Sequence, residues 1–301
     1  MNWCLGEDRS HDDRMDLHGV LVPLITPLDH DGEVAIGALH DLAHRVLDDG
    51  ATGLVALGTT AEPAALTPGE RASVLEVLTS VCRSRGVPLL AGANGIDDVR
   101  SLGAGITAAM TVVPPYLRPG EAGVEAYFRA VAAASPVPVI VYHVPARTGQ
   151  ELSPAALHRL ARIPGVAGIK YSPGRIDTGT MTFLRDLPPG FTVLGGDDAL
   201  ISPLLALGAH GGILAAAHLA TASFVDLARA WQDGDTSRAR TLTAPLTALA
   251  EAAFAEPNPT VVKAVLHATG QIPTPAVRLP LLPAGPEATT AALDRLAAAG
   301  R

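Results

Sequence analysis

The chain has 301 residues and a formal net charge of −8, with 48% apolar and 17% charged residues. That length carries one large domain or two ordinary ones with a sizeable core. The acidic balance, without any basic run, argues against nucleic acid as a partner.

Residues 1–16 hold Glu7, Asp8, Arg9, Asp12, Asp13 and Arg14 and no apolar segment, so they read as a disordered tail rather than a secretory signal. Cys4 and Cys82 are too few and too far apart for a disulfide framework or a metal site, which fits a reducing cytoplasm. From residue 19 onward a short apolar run, a turn and an amphipathic stretch follow one another repeatedly. Strands are expected at 19–25 (GVLVPLI), 53–57, 87–91, 108–113, 138–143, 166–170, 191–194 and 212–214. Helices are expected at 36–49, 68–83, 97–102, 121–134, 154–162, 177–186, 199–207 and 221–232. The nearest approach to a membrane span, 201–225, is broken by Gly208, His210, Gly211, Gly212 and His218.

Units recurring at a spacing of roughly 25–30 residues, with strands apolar on both faces, imply a parallel sheet covered by helices. Eight of them fit an α/β fold closed as a (β/α)8 TIM barrel. A doubly wound open sheet is the alternative, but it calls for a glycine-rich turn after the first strand, where Thr26-Pro27-Leu28 stands. The catalytic barrel is thus assigned to 17–235 and a C-terminal helical region to 236–301. That region has expected helices at 236–255, 259–269 and 286–299 and a proline-rich loop at 272–286.

The sixth strand, Gly165-Val166-Ala167-Gly168-Ile169-Lys170, ends an apolar run on an amine. A lysine withdrawn from water loses its proton more readily, and a neutral amine attacks carbonyl carbons. The chain has two lysines, Lys170 and Lys263, and only Lys170 closes a strand; Lys263 is expected on a helix surface. In a barrel the chemistry lies at the carboxyl ends of the strands. There stand Gly58-Thr59-Thr60, Pro114-Pro115-Tyr116, Tyr142 with Arg147-Thr148-Gly149, and Lys170. Two hydroxyls, two phenols, a guanidinium and an amine on one rim read as a site. His210 and His218 read as satisfied loop histidines, since no carboxylate lies at ligand spacing. Asp197 and Asp198 read as a helix cap, and no metal is expected.

At these residues the sequence resembles the pyruvate-dependent class I aldolases, the family of dihydrodipicolinate synthase and N-acetylneuraminate lyase. The motifs are Gly58-Thr59-Thr60-Ala61-Glu62, Tyr142-His143-Val144-Pro145-Ala146-Arg147-Thr148-Gly149, Gly168-Ile169-Lys170, Gly196-Asp197-Asp198 and Glu256-Pro257-Asn258-Pro259. The resemblance runs from about residue 17 to the C-terminus. It implies that Lys170 forms an imine with pyruvate, with no cofactor. It implies that Thr60 binds the pyruvate carboxylate beside Gly58, and that Ile213 offers its backbone carbonyl. Tyr142 is the implied proton shuttle in a Thr59–Tyr142–Tyr116 relay, with Tyr116 supplied by a neighbouring subunit of a homodimer or homotetramer (a dimer of dimers).

Arg147 is implied to hold the carboxylate of aspartate semialdehyde, which favours 4-hydroxy-tetrahydrodipicolinate synthase activity on the route to diaminopimelate and lysine. The alternatives are another keto-acid aldolase or dehydratase of sugar-acid or sialate type, and a non-catalytic keto-acid binder. Departures from the family pattern are Ala61, Pro63, Pro115, His143 and Tyr171, together with a shortened third helix. The usual lysine-feedback residues are not evident near Pro68 and Arg71, so weak or absent inhibition by lysine is expected.

Overall fold

The computed structural model describes residues 17–299, and the tail expected at 1–16 lies outside them. Eight parallel strands close into a barrel in chain order. They are β1 Gly19–Pro23, β2 Gly53–Ala56, β3 Leu89–Gly92, β4 Ala108–Val112, β5 Val139–His143, β6 Val166–Tyr171, β7 Thr192–Gly195 and β8 Gly211–Ile213. Closure comes from β8 pairing with β1, Gly212 opposite Val20. Every strand is almost wholly buried, because lumen and helix layer cover its two faces.

Among the described residues twelve helices accompany the barrel: α1 Ile36–Asp48, α2 Pro68–Arg85, α3 Ile96–Arg100, α4 Gly120–Ala134, α5 Pro145–Thr148, α6 Pro154–Leu160, α7 Thr178–Arg185, α8 Ile201–Ala206, α9 Thr221–Gln232, α10 Thr236–Ala253, α11 Thr260–Ala268 and α12 Pro286–Ala299. The expected elements are all present, most with ends moved by one or two residues. α5 and short 3₁₀ turns were not anticipated. α3 has only five residues, as the shortened segment required.

The period-two alternation of the strands sorts side chains between two apolar layers. Leu21, Val55, Leu90, Met110, Ile140, Tyr142, Leu194 and Ile213 form the luminal layer. Val141, Ile169, Tyr171, Val193 and Phe183 pack in the outer layer under the helices. Tyr142 lies opposite Lys170 in the β5–β6 register, so both point into the lumen. His143 and Tyr171, one residue on, face outward and stack with ring centroids 5.9 Å apart.

α10 packs against α9 and α12, and α11 lies beneath α12. Residues Thr260 to Leu266 of α11 are all buried, so this part of the helix is enclosed on every side. Among the described residues no helix is long and apolar enough to cross a membrane.

Candidate active site

Lys170 ends the luminal row of β6 and is 7% exposed. Its Nζ sits 4.4 Å from the centre of the Tyr142 ring, on the adjacent strand. Room for the lysine stem comes from Gly196, after β7: a Cβ there would meet Lys170 Cε at 2.7 Å. The Ser172 hydroxyl closes in on the same spot and is buried with no partner among the described residues.

The two aspartates after Gly196 are not helix caps. Asp197 Oδ2 accepts from the backbone N–H of Gly174 at 2.7 Å, tying the loop after β7 to the loop after β6. Asp198 is buried, and its Oδ1 accepts from the N–H of Ala216, in the turn after β8. Burial pushes the Asp198 carboxyl up to about 7, although the Lys170 charge works against the shift. The cap reading failed because a carboxylate at the end of a barrel strand can reach the next loop as readily as its own helix.

The loop after β2 is held from three sides. Gly58 leads into a 3₁₀ turn, Thr59–Ala61, whose last carbonyl accepts from the Thr26 hydroxyl at 2.8 Å. Thr60 is buried, and its Oγ1 accepts from Asn258 Nδ2 at 2.9 Å. Glu62 follows with φ +56°, a left-handed conformation unfavourable for a residue with a Cβ. Its carboxylate accepts from Lys263 Nζ at 2.6 Å and from the Arg278 backbone N–H at 2.8 Å. Lys263 also donates to the Ala276 carbonyl. The Arg278 guanidinium reaches Glu70, Ala65 and Gly32.

Lys263 is therefore not on a helix surface: it is fully buried. The burial lowers its pKa, with Glu62 opposing. A lysine inside Val261-Val262-Lys263-Ala264-Val265-Leu266 was the signal, since that run is apolar all round and leaves no solvent face for it.

The remaining expected residues lie around the mouth. Thr59, Tyr116, Arg147 and Asn258 share a cavity of about 490 Å³ with Glu62, Pro63, Arg278 and Leu281. Arg147, in α5, is exposed, and its guanidinium has no hydrogen-bond or ion-pair partner among the described residues. Ile213 ends β8 in the luminal layer. Tyr116 is not drawn to Tyr142 within this chain: it is 91% exposed, at φ +67°.

Two departures from the family pattern lie outside the lumen. His143 and Tyr171 face the helix layer, where the Tyr171 hydroxyl meets Thr180 at 3.3 Å. Pro63 starts a 3₁₀ turn, Pro63–Ala65, where the first N–H has no partner within the turn. His218 is a satisfied loop histidine. Its Nε2 accepts from the Ile25 N–H at 3.1 Å and its Nδ1 faces the Ala215 carbonyl at 2.8 Å, so the neutral ring carries its proton on Nδ1. Among the described residues no three His, Cys, Asp or Glu side chains group as a metal site.

A closed (β/α)8 barrel with a buried amine against a phenol at its strand ends is the layout of the imine-forming barrel lyases. Within that class the chain belongs to the Dihydrodipicolinate synthetase family, whose profile matches residues 16–299. A 4-hydroxy-tetrahydrodipicolinate synthase of Neisseria meningitidis serogroup C is 37% identical over 274 residues, 89% of this chain and 93% of that one. Among solved structures, the chloride-inhibited dihydrodipicolinate synthase of Acinetobacter baumannii complexed with pyruvate is 31% identical. It superposes with a TM-score of 0.88 over 94% of this chain and 98% of the other. The dihydrodipicolinate synthase of Thermotoga maritima is 26% identical, with a TM-score of 0.90 over 95% of this chain and 99% of its own.

Proposed function

We infer that this protein is a 4-hydroxy-tetrahydrodipicolinate synthase, condensing pyruvate with aspartate semialdehyde through an imine on Lys170. The observation that carries the reading is the Lys170 amine, buried in the barrel mouth over the Tyr142 ring, in a chain of this family.

The amine adds to the keto carbon of pyruvate and the carbinolamine loses water. The resulting iminium draws electrons from the methyl group, which gives up a proton and becomes an enamine. Its carbon attacks the aldehyde, and hydrolysis or ring closure frees the lysine. Tyr142 carries the protons in a relay with Thr59 and with Tyr116 of a second subunit. Thr60 donates to the pyruvate carboxylate beside Gly58, and Ile213, at the end of β8, offers its backbone carbonyl to the substrate. Arg147, exposed at the cavity rim, holds the carboxylate of the aldehyde.

A homo-oligomer follows from the same reading. Tyr116 and Leu117 are 91% and 81% exposed on one loop, large apolar surfaces that a partner would cover. The free, buried Cys82 suits a reducing cytoplasm.

Borohydride reduction in the presence of pyruvate tests the imine: an adduct mass on Lys170 is expected, and its absence overturns the reading. Turnover with aspartate semialdehyde, against a panel of sugar aldehydes, then tests the acceptor. Faster turnover of a sugar aldehyde would reassign the acceptor and leave the imine in place.

A further inference from the structure

Thr60 and Asn258 meet across the boundary between the barrel and the C-terminal helices. Asn258 is 9% exposed and lies in the loop between α10 and α11, nearly two hundred residues from its partner. A threonine hydroxyl has one proton and two lone pairs. At Thr60 one lone pair takes the Asn258 N–H, and Oγ1 makes no second hydrogen bond among the described residues. The hydroxyl proton is therefore left over. The other end of the amide, Oδ1, is buried and has no partner among the described residues. Turned the other way, the amide would leave its N–H groups unpaired instead, and an unpaired N–H is the less tolerated of the two. It would also consume the threonine proton.

A carboxylate accepts hydrogen bonds and donates none. A hydroxyl recognises it only when its proton points at it. We propose that Asn258 is a positioning residue that fixes the Thr60 hydroxyl as a donor toward the keto-acid carboxylate, making the C-terminal helical region a working part of the pyruvate site. This rests on Thr60 being the carboxylate donor. The Glu62–Lys263 and Glu62–Arg278 bonds hold the same loop from the same region, so the amide and the hydroxyl keep their register.

Steady-state kinetics on four variants test it, with pyruvate and aspartate semialdehyde varied separately. Thr60→Val raises the pyruvate KM about tenfold, the scale of a hydrogen bond to a charged group. Asn258→Asp keeps the shape but takes the threonine proton and sets a second negative charge beside the substrate. It matches or exceeds Thr60→Val. Asn258→Ala frees the hydroxyl to rotate and raises the pyruvate KM about threefold, less than a full hydrogen bond. The aspartate semialdehyde KM stays within about twofold throughout, as expected for a change confined to the other substrate.

In the Thr60→Val background, Asn258→Ala has no further effect, because the amide acts through the hydroxyl. A merely structural asparagine reverses the order, with Ala worse than its near-isostere Asp. That order, or an additive double variant, overturns the proposal. Should Asn258→Asp fail to fold, the double variant decides alone. A Thr60→Val enzyme with an unchanged pyruvate KM would instead remove the reading of Thr60 on which the proposal rests.

Discussion

At the scale of single residues, the site depends on one amine and on groups whose charge burial has altered. Lys170→Ala is expected to lose the pyruvate adduct and all measurable turnover. Tyr142→Phe should keep the adduct but lower kcat by about 10²–10⁴, the range for a lost general acid–base group; an unchanged kcat would remove Tyr142 from the proton path. Two buried groups give stability opposite dependences on pH. Burial lowers His218 from 6.5 to about 4. The unfolded chain therefore binds the extra proton first, and stability drains away as pH falls from about 6.5 toward 4. Asp198 is raised from 3.8 to about 7, so the folded chain holds the proton longer and stability falls as pH rises across that window. Urea unfolding from pH 4 to 8 should separate the two. The stability of Asp198→Asn relative to wild type should climb with pH, and a flat difference would refute the shift.

At the scale of elements, the loop after β2 and the enclosed helix α11 form one unit. Lys263→Met leaves the Glu62 carboxylate buried with only the Arg278 N–H as donor. Loss of about 3 kcal/mol is expected in chemical denaturation, as for other broken buried pairs. Adding Glu62→Gln should restore part of it; a double variant no better than the single would show that the pair's charge is not the cause. Strands, helices and even the shortened α3 were legible in the sequence, because apolar period and breaker residues act locally. So were the strand-end positions of Lys170, Tyr142 and Thr60, which follow from barrel topology. The Asn258–Thr60 and Glu62–Lys263 bonds were not. Each joins residues about two hundred positions apart, and no periodicity encodes which surface of α11 meets which loop. The aspartate pair misled for a related reason: the backbone donors it binds, Gly174 and Ala216, lie in other loops.

At the scale of the whole molecule, the exposed Tyr116 loop predicts that activity needs association. Specific activity should fall on dilution, in step with dissociation followed by analytical ultracentrifugation, if Tyr116 completes the relay across subunits. Full activity from an isolated subunit would confine the relay to one chain. Regulation is the second property of the whole. Pro68 and Arg71 line a cavity of about 440 Å³ with Asn94 and Asp98. Lysine is expected to inhibit weakly or not at all, and strong inhibition at sub-millimolar lysine would contradict this.

Both lysines of the chain are buried, one over a phenol ring and one against Glu62. The outer face of the folded protein thus offers no side-chain amine to acylating dyes, formaldehyde or amine-coupling resins. Such reagents should leave Lys263 of the native protein unlabelled. Any mass that reductive trapping adds to a lysine then reports on a buried amine, not on the surface.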